Sequence, residues 1–153
     1  MNSIASTEKQ FFTFLSELSE KSMPVKEIVE QCHKVGIGYL SSLKTLDLCH
    51  CDLKKIPESI GVLKNLKKLR LINNQLSHLP KNLSQLEQLY SIELENNDLE
   101  FFPPSLLELG KKRMSEKKAF DIYLLDNPMD LIPRSIESMV VTRPFGSLDD
   151  YSA

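Results

Sequence analysis

Hydrophobic positions recur along the chain with one fixed spacing. The segment that starts at Leu43 reads LKTLDLCHCDLKKIPESIGVLKN, and further segments of 23 residues start at Leu66 and Leu89. Each segment contains an alternating stretch, LDL, LRL or IEL, which predicts a short strand with one buried face. Such a strand cannot bury its apolar face alone, so we expect successive segments to stack and their strands to form a parallel sheet.

A fourth copy of the pattern follows as AFDIYLLDNPMDLIPRSI. Its proline, Pro133, lies 30 residues after Pro103 rather than 23, so seven residues are inserted near positions 110–118. The inward positions of the four predicted strands are Leu46 and Leu48, Leu69 and Leu71, Ile92 and Leu94, and Ile122 and Leu124.

The shared pattern LxxLxLxx[N/C]xLxxLP resembles that of the leucine-rich-repeat family over roughly residues 40–139. The resemblance implies an α/β solenoid, a short horseshoe with a parallel sheet on its concave face. It also implies that Asn74, Asn97 and Asn127 form one inward column that hydrogen-bonds the backbone. Cys51 holds the same position in the first repeat, which favours a structural role for this thiol over a reactive one.

The first 39 residues have a different pattern, which predicts two amphipathic helices. The first spans residues 7–20, with a capping box at Thr7–Gln10. The second begins near Pro24 and ends at Gly36. These helices fit an N-terminal cap over residues 1–39 that covers the first repeat, and the alternative is an amphipathic segment that binds a membrane or a partner. At the other end, residues 140–153 are predicted to form an edge strand, 139–142, and a tail packed through Phe145.

Composition narrows the range of functions. A formal net charge of −2 does not suit a dedicated nucleic-acid binder. No apolar run is long enough to cross a membrane, and the N-terminus lacks the pattern of a secretory signal peptide. Three cysteines without such a signal indicate reduced thiols and a cytoplasmic location.

No residues with the spacing of a catalytic, cofactor or metal site are evident. The cluster Cys49-His50-Cys51 is the nearest candidate, but strand alternation directs its two thiols to opposite sides and no second ligand pair follows. We therefore expect a protein that is not an enzyme and has neither cofactor nor metal.

The outward positions of the strands are the predicted binding surface. The central column reads Asp47, Arg70, Glu93, Tyr123, and basic residues of the first two repeats give way to acidic residues later. Tyrosine and arginine are enriched at interface hot spots. The bland alternative is that Arg70 only pairs with its cross-strand neighbours. The residues predicted to bind a partner are Lys68, Arg70, Ile72, Tyr90, Glu93, Glu95, Phe120, Tyr123 and Leu125.

The insertion is a second charged feature, with five basic residues between Lys111 and Lys118. It is interpreted as a solvated loop or as the exposed side of a helix that starts at Pro104, and the alternative is an anion-binding site.

The sequence thus predicts a protein–protein interaction module. The resemblance extends to bacterial effectors that act in a host cell, so one hypothesis is a translocated effector that binds a host protein in the host cytosol. The alternatives are a scaffold of the producing cell that associates into homo-oligomers and an anion-binding module that uses the insertion.

Overall fold

The computed structural model describes residues 4–141 of the chain. Two α-helices come first, α1 (Ile4–Leu18) and α2 (Met23–Val35), and a third, α3 (Pro104–Ser115), lies between the third and fourth strands. The strands are β1 (Thr45–Asp47), β2 (Lys68–Arg70), β3 (Ser91–Glu93), β4 (Asp121–Tyr123) and β5 (Val140–Val141). Short 3₁₀ helices span Ile37–Ser42, Glu58–Val62, Lys81–Gln85 and Arg134–Met139.

The five strands form one parallel sheet in chain order, β1-β2-β3-β4-β5. Leu46 pairs with Leu69, Leu69 with Ile92, and Ile92 with Ile122. The seven inserted residues between β3 and β4 therefore leave the register of the sheet unchanged. The predicted α/β repeat fold with a parallel sheet is confirmed.

One face of the sheet lies in the hydrophobic core. Leu46, Leu69, Ile92 and Ile122 are fully buried, and the leucines two positions later in each repeat line the same core. Because each repeat contributes the same inward positions, the core is continuous from one repeat to the next.

The buried column of asparagines links adjacent repeats through the backbone. Asn97 donates from Nδ2 to the carbonyl oxygens of Leu71 and Leu94, and its Oδ1 accepts from the amide of Leu76. Asn74 and Asn127 make equivalent bonds one repeat earlier and one repeat later. These bonds satisfy polar backbone groups that water does not reach.

Helices α1 and α2 bury their apolar sides in the same core. Phe11 and Leu15 of α1 and Val25 of α2 are fully buried, and α2 contacts β1. The predicted capping box was wrong, because α1 already begins at Ile4 and Thr7 lies within it. The predicted limits of α2 are confirmed, with Ser22 accepting from the amide of Val25 and Gly36 following the helix at φ 100°.

At the C-terminal end of the sheet, β5 lies within the edge strand predicted for residues 139–142. Thr142 and the predicted packing of Phe145 lie outside the described residues.

Candidate functional site

The solvent-facing side of the sheet, called here the sheet face, is organised in columns by the parallel register. Its central column contains Asp47, Arg70, Glu93 and Tyr123, paired strand to strand as predicted. Backbone hydrogen bonds continue this order beyond the strands, because the amide of Asn73 donates to Glu95 and that of Asn96 donates to Leu125. The next column of the sheet face therefore comprises Cys49, Ile72, Glu95 and Leu125.

An ion-pair ladder runs across the first three strands. The Arg70 guanidinium donates from Nη1 to Asp47 Oδ2 at 2.7 Å and from Nε to Glu93 Oε2 at 2.6 Å. The Arg70 side chain remains 37% exposed, whereas that of Glu93 is 6% exposed. Arginine is thus held in one orientation by two carboxylates while part of it still faces solvent.

These contacts shift the pKa values of the ladder. The hydrogen bond to Glu93 is the main reason why the pKa of Arg70 is raised above its ordinary value. Burial alone would raise the pKa of Asp47, but hydrogen bonds from Cys49 and the charge of Arg70 lower it overall. Both shifts favour the charged forms, so the ladder stays ionised at neutral pH.

Two of the predicted binding residues, Glu93 and Glu95, are on the sheet face but are buried rather than open to solvent. The Glu93 carboxylate lies against Arg70, which shields it. Glu95 is 8% exposed, and its Oε2 has no hydrogen-bond partner among the described residues. Burial raises the pKa of Glu95 above its ordinary value.

Half-buried aromatic and aliphatic side chains surround the charged column. Tyr90, Ile72, Tyr123 and Leu125 are each partly exposed. Lys68 is exposed, and its Nζ lies 5.7 Å from the centre of the Tyr90 ring. These side chains bring apolar contact area and charge together on one surface.

The expectation that Phe120 faces solvent was wrong, because this residue is 2% exposed and belongs to the core. In the first three repeats, a buried leucine lies three positions before the central strand residue, as Leu43 does in repeat 1. Repeat 4 has the small, exposed Ala119 at that position. Phe120, one position later, fills the core space instead and is not available to a partner.

The basic insertion is mostly helical, because α3 includes Lys111, Lys112 and Arg113. The sequence did not indicate that Arg113 is buried. Its guanidinium donates to the carbonyl oxygens of Ala119 and Glu87, both at 2.9 Å, and so ties α3 to the chain on either side. Lys112 pairs with Glu87, and Lys118 pairs with Glu116.

A row of left-handed residues was also missed at the sequence stage of reasoning. His50, Asn73, Asn96 and Asp126 have φ between 55° and 61° at equivalent positions of the four repeats. Asparagine and aspartate tolerate this conformation better than most residues, so their recurrence was the available signal. The turn aligns the side chains at the edge of the sheet face, where Asn96 donates to Asn73.

The Cys49-His50-Cys51 cluster offers no reactive thiol. Burial is the main cause that raises the pKa of Cys49 to about 12, and burial also raises the pKa of Cys51. Thiolates are the nucleophilic form, so neither cysteine is activated. Within residues 4–141, no group of three or more His, Cys, Asp or Glu side chains could hold a metal ion.

Comparison with known proteins agrees with the repeat pattern. The family model described as leucine rich repeat matches residues 41–99, which cover β1 to β3. The comparison with curated proteins found no match. Among the described helices, none has the length and apolar character needed to span a membrane. Leucine-rich repeats generally mediate protein–protein interaction and are typically non-enzymatic. The matched segment, the recurring 23-residue pattern and the in-register parallel sheet together identify this chain as a leucine-rich-repeat protein.

Proposed function

We propose that the chain is a non-enzymatic protein-binding module and that its partner contacts the sheet face. The proposed contact residues are those of the predicted set that are partly exposed: Lys68, Arg70, Ile72, Tyr90, Tyr123 and Leu125. Glu93 and Glu95 contribute charge from below this surface. Phe120 is excluded from the proposal because it is buried.

The observation that carries the proposal is the ion-pair ladder between flanking tyrosines. Asp47 and Glu93 fix the Arg70 side chain before a partner arrives, so little conformational entropy remains to be lost on binding. Tyr90 and Tyr123 lie one repeat apart on either side of Glu93, and tyrosine supplies large contact areas with few torsions to restrict. A rigid arginine beside half-buried tyrosines has the composition of an interface hot spot.

The test is affinity capture from eukaryotic and bacterial lysates by the wild type and by Tyr90→Ala/Tyr123→Ala, with the recovered proteins quantified. These changes leave the Arg70 ladder intact. Phe101→Ala is the matched control, because Phe101 is an aromatic residue that is 79% exposed away from the sheet face. We expect a protein that the wild type and the control capture equally and that the double variant loses. Equal capture by all three would move the binding site elsewhere.

We further propose that the repeats form a solenoid over residues 40–139, with residues 1–39 as its N-terminal cap and residues 140–153 as its C-terminal edge. The burial of Phe11, Leu15 and Val25 in the common core supports the cap. The alternative role, a helix that binds a membrane or partner through this same apolar side, would require that side to leave the core. Removal of residues 1–39 should therefore expose apolar surface and increase binding of a hydrophobic dye.

A role as a translocated effector in a host cytosol is a finer hypothesis that rests on the family resemblance. A reporter enzyme fused to the chain, active only in host cytosol, tests it directly. Signal in host cells that depends on a secretion system of the producing bacterium would support the effector role. Signal confined to the producing cell would favour a cytoplasmic protein of that cell.

Self-association is a second candidate, because the C-terminal end of the sheet carries an apolar recess. It has a volume of about 220 Å³, and its lining includes Leu125, Met129, Ile132 and Val140. Sedimentation over a range of concentrations distinguishes a monomer from an oligomer, and Val140→Lys should restore the monomer if this end associates.

The anion-binding alternative has less support. Arg113 is used within the fold, and two of the four lysines of the insertion are paired with glutamates. Strong salt dependence of partner binding, lost when Lys111 and Lys117 are replaced by glutamine, would be needed to revive it.

A further inference from the structure

Glu95 has an unusual position on the sheet face. It follows β3 and lies between the half-buried side chains of Ile72 and Leu125 in neighbouring repeats, as the backbone hydrogen bonds of Asn73 and Asn96 fix. Strand alternation places Glu95 on the same side as Glu93, whereas Leu94 points into the core. A carboxylate that is 92% buried, by its 8% exposure, thus lies between two apolar neighbours on a surface rather than in the core.

The charges around Glu95 are not balanced. Its Oε2 has no hydrogen-bond partner within the described part of the chain. The nearest cation, the Arg70 guanidinium, is already bonded to Asp47 and Glu93. The remaining charged groups that act on Glu95 are the carboxylates of Glu93 and Asp126, which disfavour its ionisation together with burial. A buried, unpaired carboxylate surrounded by other carboxylates is costly unless a cation from outside joins it.

A basic side chain supplied by the partner meets both requirements of this position. An ammonium or guanidinium group would neutralise the excess negative charge and donate to the free oxygen, and rotation about the last torsion of Glu95 turns that oxygen outward. The methylene stem of lysine or arginine would lie against Ile72 and Leu125 as the charged end reaches the carboxylate. A neutral hydroxyl donor would leave the charge unbalanced.

We propose that Glu95 is the specificity-determining residue of the sheet face and that it selects a partner segment carrying a lysine or arginine beside apolar residues. The inference rests on the proposed function, because it names the chemical class of the protein that the sheet face binds. It assigns two tasks to neighbouring positions: Arg70 and the tyrosines provide contact, whereas Glu95 decides which side chain may enter.

The experiment is a selection of phage-displayed random dodecapeptides on three immobilised full-length proteins: the wild type, Glu95→Gln and Glu100→Gln. Glutamine preserves the shape of Glu95 and removes its charge. Glu100 is an exposed glutamate of the same repeat and provides the matched control. Peptides selected by the wild type are then synthesised, and their affinity is measured for the three proteins and for Tyr90→Ala/Tyr123→Ala.

We expect peptides selected by the wild type and by Glu100→Gln to be enriched in lysine or arginine at one position next to apolar residues. Their affinity should fall at least about tenfold for Glu95→Gln and should be unchanged for Glu100→Gln. Thermal melting of each variant checks that the loss does not come from unfolding.

The two levels of the proposal fail differently. Peptides that depend on Tyr90 and Tyr123 but show no basic enrichment, or that bind Glu95→Gln equally well, would overturn the role of Glu95 and leave the sheet-face function in place. Selection of no peptide that depends on the tyrosines would count against both. If the wild type dimerises in sedimentation and Glu95→Gln does not, a second copy of this chain is the occupant and the separate basic partner is rejected.

Discussion

Two polar columns run across the same sheet, one on each side, and they differ in what they hold together. The inner column of Asn74, Asn97 and Asn127 satisfies backbone groups in the core, and each asparagine has several partners. The outer column of Asp47, Arg70 and Glu93 bonds side chains to one another at the edge of solvent. The inner column is therefore tied to stability, whereas the outer column can vary its charge and serve recognition.

The largest effect should come from the inner column. Asn97→Ala leaves the buried carbonyl of Leu71 and the amide of Leu76 without this partner, so we expect the free energy of unfolding to fall by about 2–4 kcal/mol. Urea denaturation followed by circular dichroism measures it. Asp98→Ala, at an exposed neighbouring position, should change little. Equal, small losses for both variants would remove the distinction between the columns.

The outer column should matter less. Arg70→Met leaves the buried Glu93 carboxylate without its cation, and we expect a loss of about 1–2 kcal/mol at neutral pH, reduced by the partial exposure of Arg70. The double variant Arg70→Met/Glu93→Gln should regain most of this loss, because no unpaired buried charge remains. A double variant as unstable as the two single changes added together would contradict this explanation.

Glu95 should show the opposite sign. Its pKa is raised in the folded protein, so the folded state binds the proton more tightly than the unfolded state does, and ionisation at higher pH lowers stability. We expect Glu95→Gln to be more stable than the wild type at pH 7, by up to about 1 kcal/mol. The difference should shrink as the pH falls towards and below 4.5, the ordinary pKa of this group. Denaturation curves across this range measure it, and a variant less stable than the wild type at pH 7 would refute it.

The smallest effect is expected at Asp47. Because the pKa of this residue is lowered on folding, its ionised form adds stability above its ordinary pKa of 3.8, and that stability is lost as the pH falls through the lowered value. Asp47→Asn should lower the free energy of unfolding by about 0.5 kcal/mol at pH 7 and by nothing at strongly acidic pH. The same denaturation series, run for this variant, provides the measurement. A difference that persists in acid would point to lost packing rather than lost charge.

The sheet and its register were predictable because the physics repeats. A strand buried on one side, recurring every 23 residues, can bury its leucines only when equivalent positions lie side by side, so the columns of the sheet face followed from Leu43 onward. The pairing of Arg70 with both acidic neighbours was the bland interpretation of the central column, and the structure contains it. That pairing is compatible with binding, since Arg70 remains partly exposed.

The prediction was wrong where the repeat is irregular. Repeat 4 places Ala119 where the other repeats have leucine, and a column assignment based on register alone could not show that Phe120 would move into the vacated core space. The burial of Glu95 and Arg113 also depends on contacts between repeats, which no single repeat contains. Specific side-chain burial on the sheet face therefore required the three-dimensional structure.

The asparagine column also gives the molecule a direction under mechanical load. Each asparagine bonds backbone groups of the repeat before it, as Asn74 does with Leu48, Cys51 and Leu53. Detaching a repeat from the C-terminal end therefore strips hydrogen bonds from the backbone of the repeat that remains. Detaching one from the N-terminal end mainly leaves an asparagine side chain short of partners. A pulling force applied at the two ends should thus meet unequal resistance, and the order in which repeats open would be set by this polarity.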